Sequence, residues 1–216
     1  MFLLTTALLL TCLPQTILQV QQREIHQQGP HYGVDIKYPE IENGDQFNAA
    51  VRQTVGSLTE NFRKEMPDVS APDILVGGYL NGSYNATILK NGIVSVLLDY
   101  SEYTPGAVHP WGVMASINYD SSTCRVLALS DLFRAGVNYV SSVSRLAIAS
   151  LDQNEFADRH AIRHGAGPLE SNFKVFTLTD TALVLHFPMY QVAAGAAGEQ
   201  TVVIPMDRLA PLLRKR

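Results

Sequence analysis

The stretch Ile93–Tyr119, IVSVLLDYSEYTPGAVHPWGVMASINY, decides the fold. Two strand-like runs, Ile93–Tyr103 and Trp111–Tyr119, flank a tight connection holding Pro105, Gly106, His109, Pro110 and the sole tryptophan, Trp111. Proline and glycine end strands and set turns, so the pair reads as antiparallel strands joined at a corner. An imidazole and an indole stand at that bend, where a partner can reach large, partly polar rings. No complete set of groups for covalent chemistry accompanies them.

Upstream, Lys90-Asn91-Gly92 joins Ile93 to the strand-rich segment Ile74–Leu89, and Asn-Gly between apolar runs signals a hairpin. Gly77, Gly78 and Gly82 within that segment suggest bulges or sharp twist. Further back, Phe47, Val51, Val55, Leu58 and Phe62 make one apolar stripe along Gln46–Met66, a helix stopped by Pro67. Asn43-Gly44-Asp45 offers its turn and N-cap. Val34, Ile36 and Tyr38 alternate with Asp35 and Lys37 in a half-buried strand that Pro39 ends. Gln21–Pro30 is polar without period and reads as a linker.

Downstream, Asp120-Ser121-Ser122 turns the chain into Cys124–Leu129, and Ser130–Phe133 reads as a short helical turn. Val137–Leu151 is a second helix with Tyr139, Val143, Leu146 and Ile148 inward. Lys174–Leu178 and Ala182–Phe187 form another hairpin. The small-residue loop Pro188–Gln200 is able to lie close to another backbone. Thr201–Ile204 is a last strand and Asp207–Leu213 a last helix. The sum is an α+β fold, with antiparallel hairpins and sheet packed against two main helices, in a single compact domain of two halves.

The chain has 216 residues, 46% of them hydrophobic and 17% charged, which suits one globular domain with a sizeable core. A net charge of -4 gives no basic field for nucleic acid. Phe2–Val20 carries no charge and holds the apolar run FLLTTALLLTCL, which fits a signal peptide or weak anchor better than a span. Residues 1–20 are thus expected as the leader, 21–31 as a linker, and 32–213 as the exported domain, with halves 32–105 and 106–213. The location expected is secreted, periplasmic or cell-envelope. Cys12 and Cys124 are the only cysteines; loss of the leader leaves Cys124 unpaired, a small buried hydrophobe.

TPGAVHPWG, then INYDSSTCRVLALSDLF, then FTLTDTALVLHFPMYQVAAGAAGEQTVVIPMDRL, together resemble a family of bacterial exported domains of unknown function. That family includes the extracellular region of the lysozyme-sensing anti-sigma factor RsiV. A segment ahead of the catalytic domain of certain peptidoglycan deacetylases and a secreted mycobacterial antigen also belong to it, and the resemblance is closest to the antigen type. Coverage runs from about Tyr32 to Leu213. The family commonly has two glycines and a small residue before its His-Pro, whereas Gly106-Ala107-Val108 keeps only the first glycine. The resemblance implies an α+β domain outside the cytoplasm that binds something, with lysozyme the partner in one branch.

Candidate ligand-binding residues are Tyr103, His109, Trp111 and Tyr190. Indole stacks on sugars or fills a protein hot-spot pocket. The other reading has His109 bonding its own corner, Trp111 plugging the core and the tyrosines capping sheet ends. His160 and His164, at i and i+4, match zinc spacing, but the glutamate of HExxH is absent and no third ligand is evident. No Gly-x-Ser-x-Gly elbow frames a serine, and Gly195–Gly198 is not a phosphate loop. The expectation is a monomeric binding module without turnover, metal or cofactor, recognising a peptidoglycan glycan or an extracellular wall-active protein such as lysozyme. A metal-dependent peptidoglycan hydrolase or deacetylase, and a secreted antigen aimed at a host protein, are the alternatives.

Overall fold

In the computed structural model, residues 18–66, 77–153 and 158–215 are described. The expected leader falls almost wholly outside them. Strands β1 (Val20–Gln28), β2 (Tyr32–Ile41), β3 (Gly78–Ile88), β4 (Ile93–Tyr103), β5 (Trp111–Asp120) and β6 (Arg125–Val126) form one sheet in sequence order. Strands β7 (Phe176–Leu178), β8 (Ala182–Phe187) and β9 (Gln200–Pro205) form a second. Four helices accompany them among the described residues: α1 (Asp45–Glu65), α2 (Tyr139–Leu151), α3 (Arg159–Gly165) and α4 (Met206–Leu209). The α+β architecture is as expected.

Helix α1 lays Phe47, Val51, Val55 and Phe62 on the first sheet, all at 1% exposure or less. Each such burial contributes roughly 1.5–3 kcal/mol. Leu58 is only partly buried; Thr59 takes the inner position and donates its hydroxyl to Val55 O at 2.9 Å. Gly44 is the N-cap and makes no side-chain bond. Instead Asn48 clamps the helix to the end of β2, accepting from Ile41 N and donating to Ile41 O, both at 2.9 Å.

Several local expectations need correction. The polar run expected as a linker is strand β1, antiparallel to β2 from Val20↔Ile41 to Gln28↔Gly33. Backbone pairing holds it while its side chains stay largely in solvent, so no hydrophobic period marks it. Strand β2 runs through Pro39, which sits opposite Gln22 of this edge strand. Strands β2 and β3 are parallel, because α1 carries the chain back across the sheet between them. The last helix stops at Leu209. In α2 the buried face is Val143, Ser144, Ala147 and Leu151, with Tyr139, Leu146 and Ile148 at its margins. Cys124, half-buried with φ 52, is disulfide-bonded rather than an unpaired thiol. The other cysteine, Cys12, lies outside the described residues.

The halves also divide differently. One core, from Val34 to Tyr119, sits between α1 and the first sheet. The other joins the second sheet to α2, α3 and the Leu129–Leu132 turn. The boundary between halves therefore follows β6 rather than residue 105, since β5 hydrogen-bonds to β4 along its length.

Candidate functional site

After β4 the chain turns at Thr104–Ala107, where Ala107 N donates to Thr104 O at 3.0 Å. Pro105 and Gly106 take the second and third places, and Gly106 has φ +92, the signature of a type II turn. Val108 is 99% exposed. His109 then folds back on its own corner, Nδ1 lying 2.8 Å from Pro110 O. A carbonyl only accepts, so Nδ1 carries the hydrogen, and in the neutral ring Nε2 is left as acceptor. Tyr190 Oη, 3.1 Å from Nε2, donates to it.

Three expected site residues thereby meet. Trp111 lies 5.4 Å by ring centroid from both His109 and Tyr190, and those two rings are near-parallel at 6.4 Å. Trp111 is 47% exposed and Tyr190 49%, so the indole does not plug the core. Tyr103 goes elsewhere. It is one residue past Glu102, which pairs directly with Trp111, so strand alternation sends it to the opposite face. There its ring stacks on Tyr79 at 5.6 Å.

The loop Pro188–Gln200 does pass close to another backbone, but the glycine that permits it belongs to α3 and not to the loop. An added Cβ on Gly165 would stand 1.8 Å from Gln191 O, so that glycine lets the loop pass against α3. Gln191 Nε2 donates to Gly165 O at 2.8 Å and Asn172 O at 2.9 Å, pinning the segment that carries Tyr190. A Cβ on Gly195 would meet the Tyr190 ring at 2.2 Å. Behind the corner, Gly112 gives room to Glu199, whose carboxyl is raised by burial and then by Asp99.

Beside Trp111 opens a cleft of about 660 Å³ lined by Leu58, Asn61 and Glu65 of α1, Glu102, Thr104 and Val113. Burial, then the charge of Glu65 and a hydrogen bond with it, push the Glu102 carboxyl up to about 7. Neither Glu102 nor Glu65 is among the candidate residues that the sequence offers. The signal for Glu102 was the strand register that sets it opposite Trp111.

His160 and His164 are exposed on α3, whose N-cap Asp158 accepts from His160 N and Ala161 N. Among the described residues no group of three or more His, Cys, Asp or Glu is placed to hold a metal ion. Among them, too, no helix is long and apolar enough to cross a membrane.

Residues 130–207 match the family described as Protein of unknown function (DUF3298). The match takes in Tyr190 and the second sheet, and begins after the corner. The chain is 27% identical over 190 residues to the peptidoglycan-N-acetylmuramic acid deacetylase PdaC of Bacillus subtilis. That alignment covers 87% of this chain but 40% of the relative's length. A DUF3298-family protein from Bacteroides fragilis shares the fold with TM-score 0.59 and 13% identity, over 92% of this chain and 94% of that one. Another from Pseudomonas aeruginosa gives 0.55 and 17%, over 91% and 95%.

Proposed function

We propose that this chain is an exported binding module of the cell envelope that captures wall glycan without chemical turnover. One observation carries the reading: His109, Trp111 and Tyr190 converge on a surface where the indole and the phenol are each about half exposed. Such rings suit the apolar faces of pyranoses, and the polar groups of the adjoining cleft suit their hydroxyls. The relative PdaC is named for peptidoglycan, which supplies the ligand class. The RsiV-like reading, with lysozyme as partner, uses the same rings as a protein hot spot.

Capture on purified, protein-free peptidoglycan, beside capture on immobilised lysozyme, separates these partners. Glycan capture that Trp111→Ala weakens at least about tenfold supports the module. The same variant should move Tm by no more than about 4 °C, because half of the indole is already in water. Capture of lysozyme alone contradicts the glycan assignment.

A further inference from the structure

The cleft beside Trp111 holds chemistry that ring stacking leaves unused. Glu65 and Glu102 both line it, near enough that the charge of Glu65 adds to burial in pushing the Glu102 carboxyl up. Two ionised carboxylates facing one space repel, which favours a proton on one of them. Glu102 stands opposite Trp111 in the β4–β5 register, so the indole and the carboxyl pair wall one space. The remaining wall groups, Leu58, Asn61, Thr104 and Val113, are neutral.

Among the described residues no cation answers this pair. On α1, Lys64 closes on Glu60 at 2.8 Å and Arg63 bonds Gln27. On the far side of the indole stand His109 and Tyr190, bonded to each other. Among the described residues no lysine or arginine lies at ion-pair distance from Glu65 or Glu102, and the charge that acts on Glu102 is that of Glu65. A space of about 660 Å³ is within the roughly 300–1,000 Å³ of small-ligand sites. Two carboxyls with one proton, beside a π face, form an environment complementary to an organic ammonium.

We infer that this cleft is a subsite for a protonated amino sugar, a glycan unit whose 2-amino group is free rather than N-acetylated. Its ammonium sits between Glu65 and Glu102, and its ring lies against Trp111. An N-acetyl group offers no charge and one N–H, so it cannot compensate both carboxyls. Entry of the ammonium favours ionisation of both, and the shared proton leaves to solvent. The inference rests on the glycan-binding reading and gives it a preferred sugar.

The test is calorimetric titration of the full chain at about pH 6, where the amine is protonated and the carboxyl pair keeps its proton. Equal-length β-1,4 oligomers of glucosamine and of N-acetylglucosamine are compared in two buffers of different ionisation enthalpy. The glucosamine oligomer should bind about tenfold tighter and release close to one proton. The double variant Glu65→Gln, Glu102→Gln should bind both oligomers alike, with no proton release and an undiminished Tm. Equal affinity in the native chain, or a preference that survives the double variant, overturns the inference. Binding of the N-acetylated oligomer alone, lost in Trp111→Ala, overturns the subsite but leaves the module. Binding of neither oligomer removes both.

Discussion

Tyr190 adopts φ 68, a left-handed backbone that a residue with a bulky side chain holds at a cost of about 1–3 kcal/mol. The strain coincides with the bond that seats its hydroxyl on His109, and Gly195 gives the ring its room. Gly195→Ala should therefore displace the ring rather than break the fold, because the clash meets the far end of a side chain. Tm should change by no more than about 4 °C, while glycan capture falls; a large loss of Tm with intact capture would reject this role. Glu102 makes a different prediction. Its carboxyl holds a proton up to about 7 in the folded chain, against an ordinary value of 4.5. Below the ordinary value both folded and unfolded chains are protonated, and there is no penalty. As pH rises from there through about 7, the unfolded chain releases its proton first and folding loses stability; above, the loss levels off. Solvent screening at a half-open cleft limits the loss to about 1 kcal/mol. Thermal scans across this window should show it, and Glu102→Gln should flatten the curve.

Between elements, the decisive joint is polar. Asn118 and Ser95 pair across β4 and β5, both at 2% exposure or less. Ser95 Oγ donates to Asn118 Oδ1 at 2.6 Å and accepts from Leu178 N at 2.8 Å. Asn118 Nδ2 donates to Phe176 O, and Phe176 N donates to Ser116 Oγ. Side chains of the first sheet thus satisfy the backbone of β7, doing what a neighbouring strand would do. Asn118→Ala strands the Phe176 carbonyl and should cost about 2–3 kcal/mol, a fall of roughly 4–12 °C in Tm. A fall no larger than that of an exposed substitution would refute the joint. This network was not legible in the sequence, since a serine and an asparagine in alternating strands read as solvent-facing. The α1 stripe and the three hairpins were legible, because period and turn chemistry are local. Strand β1 was not, because an edge strand held by backbone pairing needs no apolar face. At the corner, residue type drew attention to His109, Trp111 and Tyr190, and the structure shows that their rings meet. Tyr103 lies apart from them, on the opposite face, because the face a residue takes depends on register, and Glu65 stayed hidden because Glu102 lies on another element.

Across the whole molecule, two cores are welded into one body. Leu89 and Ile93, on the first-sheet hairpin, belong to the second core, and Asp180 of the β7–β8 turn accepts from Lys90 N at 2.9 Å. Heat or denaturant should accordingly unfold the chain in a single transition; two transitions by calorimetry would show separable halves. The aromatic corner sits where the sheets meet, with Trp111 from the first and Tyr190 from the loop between β8 and β9. Both halves are therefore needed to build it. Trp111 is the sole tryptophan, so intrinsic fluorescence reports this corner directly. Titration with soluble peptidoglycan fragments should shift its emission to shorter wavelength along a saturable curve. Fragments that bind by calorimetry while the emission stays unchanged would place the site elsewhere and contradict the account.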